Sequence, residues 1–273
     1  MTQTNQQTRK EIFYFLAGTF SLSVIFYVLI FNAGSILAQG GLYVFGLMWT
    51  PGLTAILLSL LFKKSHELGW RPGKPSHLIT AYFLPIAYSL PVYILVWLTG
   101  LGGFDRANAP GAIQLGIFAV VYVFMGLVSG LGEEIGWRGF LVPRLTKMMG
   151  FTRATLLVGI IWVAWHTPLI LFSDYDTGAT PSAYALFCFF IMVMGVSFAF
   201  SYLRMASGSL WPAALLHAAH NAYIQGLFDP LTINTGTTAW WIGEFGAGLA
   251  VTGLLVGLIF WRKGRKLAVP LAS

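Results

Sequence analysis

The chain is poor in charge: 9% of its 273 residues are Asp, Glu, Lys or Arg, against 57% hydrophobic residues and a mean hydropathy of +0.74. That is too little charge to cover a water-soluble surface, so lipid is the expected solvent. Acidic residues are the scarcer sign, nine against sixteen Lys and Arg. The formal charge of +7 does not describe a nucleic-acid-binding face, because the basic residues fall in short stretches between apolar runs. There is one cysteine, Cys188, which excludes an intrachain disulfide and a cysteine-rich metal site. It sits in an apolar run without a polar neighbour and reads as packing. No His-Glu-x-x-His helix is present either.

What is abundant is apolar sequence in lengths that cross a bilayer, for which about 20 residues suffice. Eight stretches qualify: Ile12 to Phe31, Gly41 to Phe62, Leu78 to Leu98, Ala112 to Leu131, Ala154 to Phe172, Tyr184 to Leu203, Leu210 to Phe228 and Thr238 to Trp261. The first lacks a convincing cleavage site after a short apolar region and is kept as an uncleaved span. Every second loop is basic. Arg9 and Lys10 precede the first span, Lys63, Lys64, Arg71 and Lys74 follow the second, and Arg144, Lys147 and Arg153 follow the fourth. Arg204 follows the sixth, and Arg262, Lys263, Arg265 and Lys266 close the eighth. The intervening loops hold Arg106 as their only cation, beside Asp105, Asp174, Asp176 and Asp229. The expectation is an all-α polytopic membrane helical bundle of about eight transmembrane helices with both termini cytoplasmic. It forms a single domain over residues 1–273, with a motif-bearing core at 112–228. Gly126-x-x-x-Gly130 and Gly253-x-x-x-Gly257 offer small faces for close helix approach.

Ionisable groups at membrane depth cost roughly 2.5 to 3.5 kcal/mol each, so those present are functional candidates. The first cluster is Glu133-Glu134-x-x-x-Arg138 at the end of the fourth span. On a helix, Glu134 and Arg138 stand at i and i+4 and can pair, while Glu133 points about 100° away. One carboxylate then has a cation and the other lacks one, which favours Glu133 as the proton-transferring group and the Glu134 and Arg138 pair as support. A snorkelling ion-pair knot is the structural alternative. The second cluster is Trp162-x-x-x-His166, followed by Pro168, expected to kink or weaken its helix and make room for water. The third is His217-x-x-x-Asn221, one turn apart with alanines between, a pair able to donate to one oxygen. His220 reads as packing or support. The second and third clusters, each taken alone, also fit interhelical hydrogen bonding. Together they describe a buried polar site, hydrolytic or metal-binding.

Taken in order, the three motifs resemble those of the CAAX prenyl protease and bacteriocin-processing family, intramembrane glutamic endopeptidases related to the CAAX-processing type II prenyl endopeptidase. They cover Glu133 to Asn221; the first three spans and the last carry no motif. The resemblance implies that Glu133, helped by His166, activates a water that attacks the scissile carbonyl. It implies that His217 and Asn221 stabilise the oxyanion, and that Glu134, Arg138 and Trp162 shape the site or contact substrate. Trp162 stands where the family commonly has Phe, and an aromatic wall is kept. No metal or other cofactor is implied. The partners implied are the lipid bilayer and a membrane-associated peptide or protein, prenylated or bacteriocin-like, and no nucleic acid. A zinc-dependent membrane metallopeptidase, and a non-catalytic bacteriocin-immunity or scaffold protein, are the competing readings.

Overall fold

The computed structural model describes residues 3–176 and 179–267. With no water in a bilayer core, backbone groups must be satisfied within each segment, and the described chain is accordingly almost all helix. Its α-helices are α1 (Gln3–Ala33), α2 (Leu42–Leu61), α3 (Pro75–Thr99), α4 (Ala112–Glu134), α5 (Val142–Met149), α6 (Phe151–Phe172), α7 (Ser182–Ser207), α8 (Trp211–His220) and α9 (Ala247–Gly264). Two π-helical runs interrupt this pattern. Ile135–Leu141 joins α4 to α5, and Asn221–Phe228 continues α8. Pro168 does not end α6, which runs through it to Phe172.

Seven described stretches are helical, long and apolar enough to cross a membrane: Gln6–Ala33, Ala38–Leu61, Pro75–Thr99, Ala112–Met149, Phe151–Phe172, Ser182–Ser207 and Ala247–Gly264. The chain is a multi-pass integral membrane protein, and large apolar side chains such as Leu98 and Ile113, each 81% exposed, face outward for lipid to cover. The expected span from Leu210 to Phe228 is the exception: ten α-helical residues, then eight in π-helical geometry, with His217, His220 and Asn221 diluting its apolar character. It nevertheless traverses the bundle. At its start the Leu210 amide donates to Gly69 O at 2.8 Å and the Trp211 indole to Trp70 O at 2.8 Å. At its far end the Asp105 amide donates to Leu231 O at 3.0 Å.

The two ends of the bundle differ in their glue. At one end Glu11 pairs with Lys64 at 2.7 Å and Arg144 at 2.9 Å, and Arg144 reaches Glu67 at 3.3 Å. Arg204 donates to Glu67 O at 2.8 Å, and the Trp261 indole to Thr152 Oγ1 at 3.2 Å. The basic loops of the sequence therefore gather at one end. At the other end lie Asp174, which accepts from Ser35 Oγ at 2.6 Å, and a two-residue antiparallel pair, β1 (Gly103–Phe104) with β2 (Thr232–Ile233). The last expected span is shortened there. Thr238–Trp240 is a single 3-10 turn and α9 starts only at Ala247, because Gly243 takes φ +69° and breaks the helix between them.

Both small-residue faces are used. A Cβ on Gly126 would stand 3.0 Å from Ala218 O, and one on Gly130 3.0 Å from the His217 ring, so α8 lies on α4 at glycine distance. A Cβ on Gly257 would stand 2.8 Å from Gly195 Cα, which joins α9 to α7 in the same way. Cys188 is buried in α7 as packing.

Candidate active site

Between α2, α4, α6, α7 and α8 lies a cavity of about 690 Å³. Its walls are largely apolar, as in most small-molecule and peptide clefts, with a few polar groups converging on it. Glu133, Trp162, His166, His217 and Asn221 all line it. Glu134 and Arg138, both wholly buried, sit behind that wall and do not. The structure thus brings the sequence candidates together and divides them into two layers. The division follows from register: consecutive residues on a helix diverge by about 100°, so one glutamate faces the cavity and its neighbour faces away.

Behind the wall, Arg138 Nη1 donates to Glu134 Oε1 at 2.9 Å, and His217 Nδ1 reaches the same oxygen at 2.9 Å. The guanidinium is held between two rings, 4.0 Å from the Trp162 centroid and 4.2 Å from that of Phe200. Among the described residues Arg138 Nε and Nη2 and Glu134 Oε2 have no hydrogen-bond partner. A buried ion pair of this kind is held by its mutual attraction and fails badly if either member is removed.

In the front layer, Glu133 has no ion pair among the described residues, and its recorded hydrogen bond is from Trp162 Nε1–H to Oε2 at 2.7 Å. Trp162 is therefore more than an aromatic wall. Its face carries Arg138 and its edge holds the carboxylate, a donor that Phe at this position lacks. His166 Nδ1 bonds Trp162 O at 2.9 Å, which makes it the protonated nitrogen of the neutral ring and leaves Nε2 an acceptor. The Glu134 carboxylate likewise holds a proton on Nδ1 of His217, at 2.9 Å. The Asn221 side chain is half-buried at the first residue of the second π-helical run. Two of the three motifs, Glu133-Glu134-x-x-x-Arg138 and His217-x-x-x-Asn221, thus run into a π-helical segment, a local geometry that recurs at functional sites, while Trp162 and His166 lie within the regular α6. Among the described residues no three His, Cys, Asp or Glu side chains converge as metal ligands do.

Sequence reasoning passed over a second polar cluster on the same cavity. Glu244, Tyr175, His220 and Gln225 also line it. Glu244 Oε1 bonds His220 Nε2 at 2.8 Å, while Oε2 accepts from Tyr175 Oη and from Gln225 Nε2, each at 2.9 Å. On the other side of His220, Tyr88 Oη bonds Nδ1. The signal was available: Glu244 lies inside a stretch read as a membrane span, where an acid is unexpected.

Residues 115–223 match the family described as Type II CAAX prenyl endopeptidase Rce1-like. All seven residues named in the motifs fall inside that interval. The chain is also similar to "CAAX prenyl protease 2" of Methanococcus maripaludis, 27% identical over 168 residues that make up 56% of this chain and 62% of that protein. The match thus spans less than two thirds of the relative's length. Both findings bear out the resemblance read from the three motifs.

Proposed function

We propose that this chain is an intramembrane endopeptidase in which Glu133 activates a water to cleave a peptide bond of a membrane-associated substrate. The observation that carries this reading is the two-layer site: Glu133, His166, His217 and Asn221, from α4, α6 and α8 with its π-helical extension, meet on one cavity while the Glu134 and Arg138 pair stands behind them. The Glu133 carboxylate takes a proton from water as the water oxygen bonds to the scissile carbonyl carbon. His166 Nε2 accepts the water's other hydrogen and aims it. The charge that develops on the carbonyl oxygen is met by His217 Nε2–H, in the doubly protonated ring whose countercharge is Glu134, and by the Asn221 amide. Collapse breaks the C–N bond, and the leaving amine takes the proton from Glu133. Glu134 and Arg138 serve this sequence by fixing His217 and Trp162.

The substrate class we propose is a prenylated or bacteriocin-like peptide held at the membrane, with the basic end of the bundle, and hence both chain termini, on the cytoplasmic side. The decisive experiment follows cleavage of a farnesylated peptide ending in a CAAX sequence by the full chain in lipid vesicles. Glu133→Ala is expected to abolish product while the protein remains folded; undiminished turnover in that variant overturns the reading. Stoichiometric zinc in the purified protein, with activity lost to chelators, would replace it with the metallopeptidase.

A further inference from the structure

The first cluster has a counterpart across the cavity. Glu244 is 9% exposed and every recorded bond to its carboxylate comes from a protein donor, so it serves geometry and has little left for substrate. Two of those donors lead back to the reacting groups. Tyr175, through its hydroxyl, is fixed to Glu244, and its ring stacks on His166, centroids 6.1 Å apart and planes at 26°. His220 is on α8, three residues from His217, and so lies on an adjacent face of the helix that carries the oxyanion donors. That helix is clipped on two flanks, by His217 to Glu134 of α4 and by His220 to Glu244 of the loop before α9. Two clips fix its roll about its own axis, which one does not. Tyr88 completes the arrangement, since a hydroxyl donating to Nδ1 keeps the His220 proton on Nε2, facing Glu244.

We propose that Glu244 is a positioning residue for the chemical step, holding His166 through Tyr175 and holding the roll of α8, with His217 and Asn221, through His220. The proposal rests on the reading given under Proposed function. Catalytic groups must be held within about 10–20° of productive geometry, and a misplacement of about 1 Å costs about 10²-fold in rate.

The test uses the full chain in lipid vesicles with the farnesylated CAAX peptide as probe. Glu244→Ala should lower kcat about 10²-fold with KM unchanged. Glu244→Gln, which keeps the shape and an acceptor for His220, should recover part of that loss, and Tyr175→Phe should fall between. A second measurement needs no substrate: carbethoxylation of individual histidines by diethyl pyrocarbonate, read by mass spectrometry. His166 should react faster in both Glu244→Ala and Tyr175→Phe, and His220 in Glu244→Ala only. Unchanged kcat together with unchanged His166 labelling overturns the proposal, and so does a rise in KM with kcat intact, which would make Glu244 a substrate contact. If the wild-type chain cleaves nothing, the functional reading fails while the labelling pattern still decides the positioning role. If Glu244→Ala does not fold, Glu244→Gln and Tyr175→Phe decide it.

Discussion

Two helix pairs in this bundle are built with the same device and differ in everything else. In α7 and α9, Gly195, Gly253 and Gly257 bring backbone against backbone, and the atoms nearest them belong to glycine, Leu254 and Met192, none of them ionisable. In α4 and α8, Gly126 and Gly130 bring the same close approach, but what they meet is Ala218 and the His217 ring. The first interface is packing alone. The second uses packing to set the distance between a carboxylate pair and a histidine. A small-x-x-x-small pattern therefore states how near two helices come, and the residues opposite the glycines decide whether nearness has chemical content.

Four substitutions sharpen or break that contrast. The largest effect is expected from Glu134→Ala in the α4 and α8 interface. It leaves the Arg138 guanidinium wholly buried without its carboxylate and His217 without its anchor, at a cost of about 3–5 kcal/mol. Thermal unfolding in detergent reads this, and an unaltered transition would show the pair to be ornamental. Next is Gly195→Ala in the other interface. The added methyl meets the Gly253 backbone, which has no side chain to swing aside, so roughly 1–3 kcal/mol should be lost with turnover of the surviving folded protein unchanged. Gly130→Ala reverses the pattern. Its Cβ meets a side chain 3.0 Å away, which yields by a few tenths of an ångström, so stability should fall by under about 1 kcal/mol while kcat falls about tenfold or more. Equal effects of the two alanines on stability and on rate would erase the distinction drawn above.

The smallest effect belongs to neither interface. Hydrogen bonds from Ser35 Oγ and from the Ile36 amide hold the Asp174 carboxyl below the usual carboxylate range. A depressed folded value means that this tether is at full strength above the ordinary Asp value of about 3.9 and fades as pH falls through the lower folded one. Asp174→Ala should cost roughly 0.5 kcal/mol and leave both glycine interfaces untouched. Faster hydrogen exchange confined to residues 34–38 is the expected signature.

Much of the bundle was legible because lipid simplifies the code. Long apolar runs had to be helices, and the alternation of basic loops sorted their ends, which the ion pairs of Glu11, Lys64 and Arg144 then gathered. Helical register alone separates Glu133 from Glu134 and pairs the latter with Arg138, since an i, i+4 relation survives modest changes of pitch. The π-helical runs were not legible, as a period of 3.6 was assumed throughout. Nor was the partnership of Glu244 with His220 and Tyr175. Its members come from α8 and two loops, and loop geometry leaves no periodic trace in sequence. Trp162 was underread for a different reason: an indole and a phenyl ring look alike as walls, and only the recorded N–H bond to Glu133 tells them apart.

The second π-helical run also bears on how such a chain tolerates changes in length. Asn221–Phe228 begins at the last of the cavity-lining residues His217, His220 and Asn221. Removing one residue from its later part, at Gly226 or Leu227, leaves His217, His220 and Asn221 in their upstream frame and turns everything after the run by about 100°. The loop that delivers Glu244 is what such a deletion re-aims. An insertion or deletion at this point is thus a way to change the far wall of the cavity while α8 keeps its count.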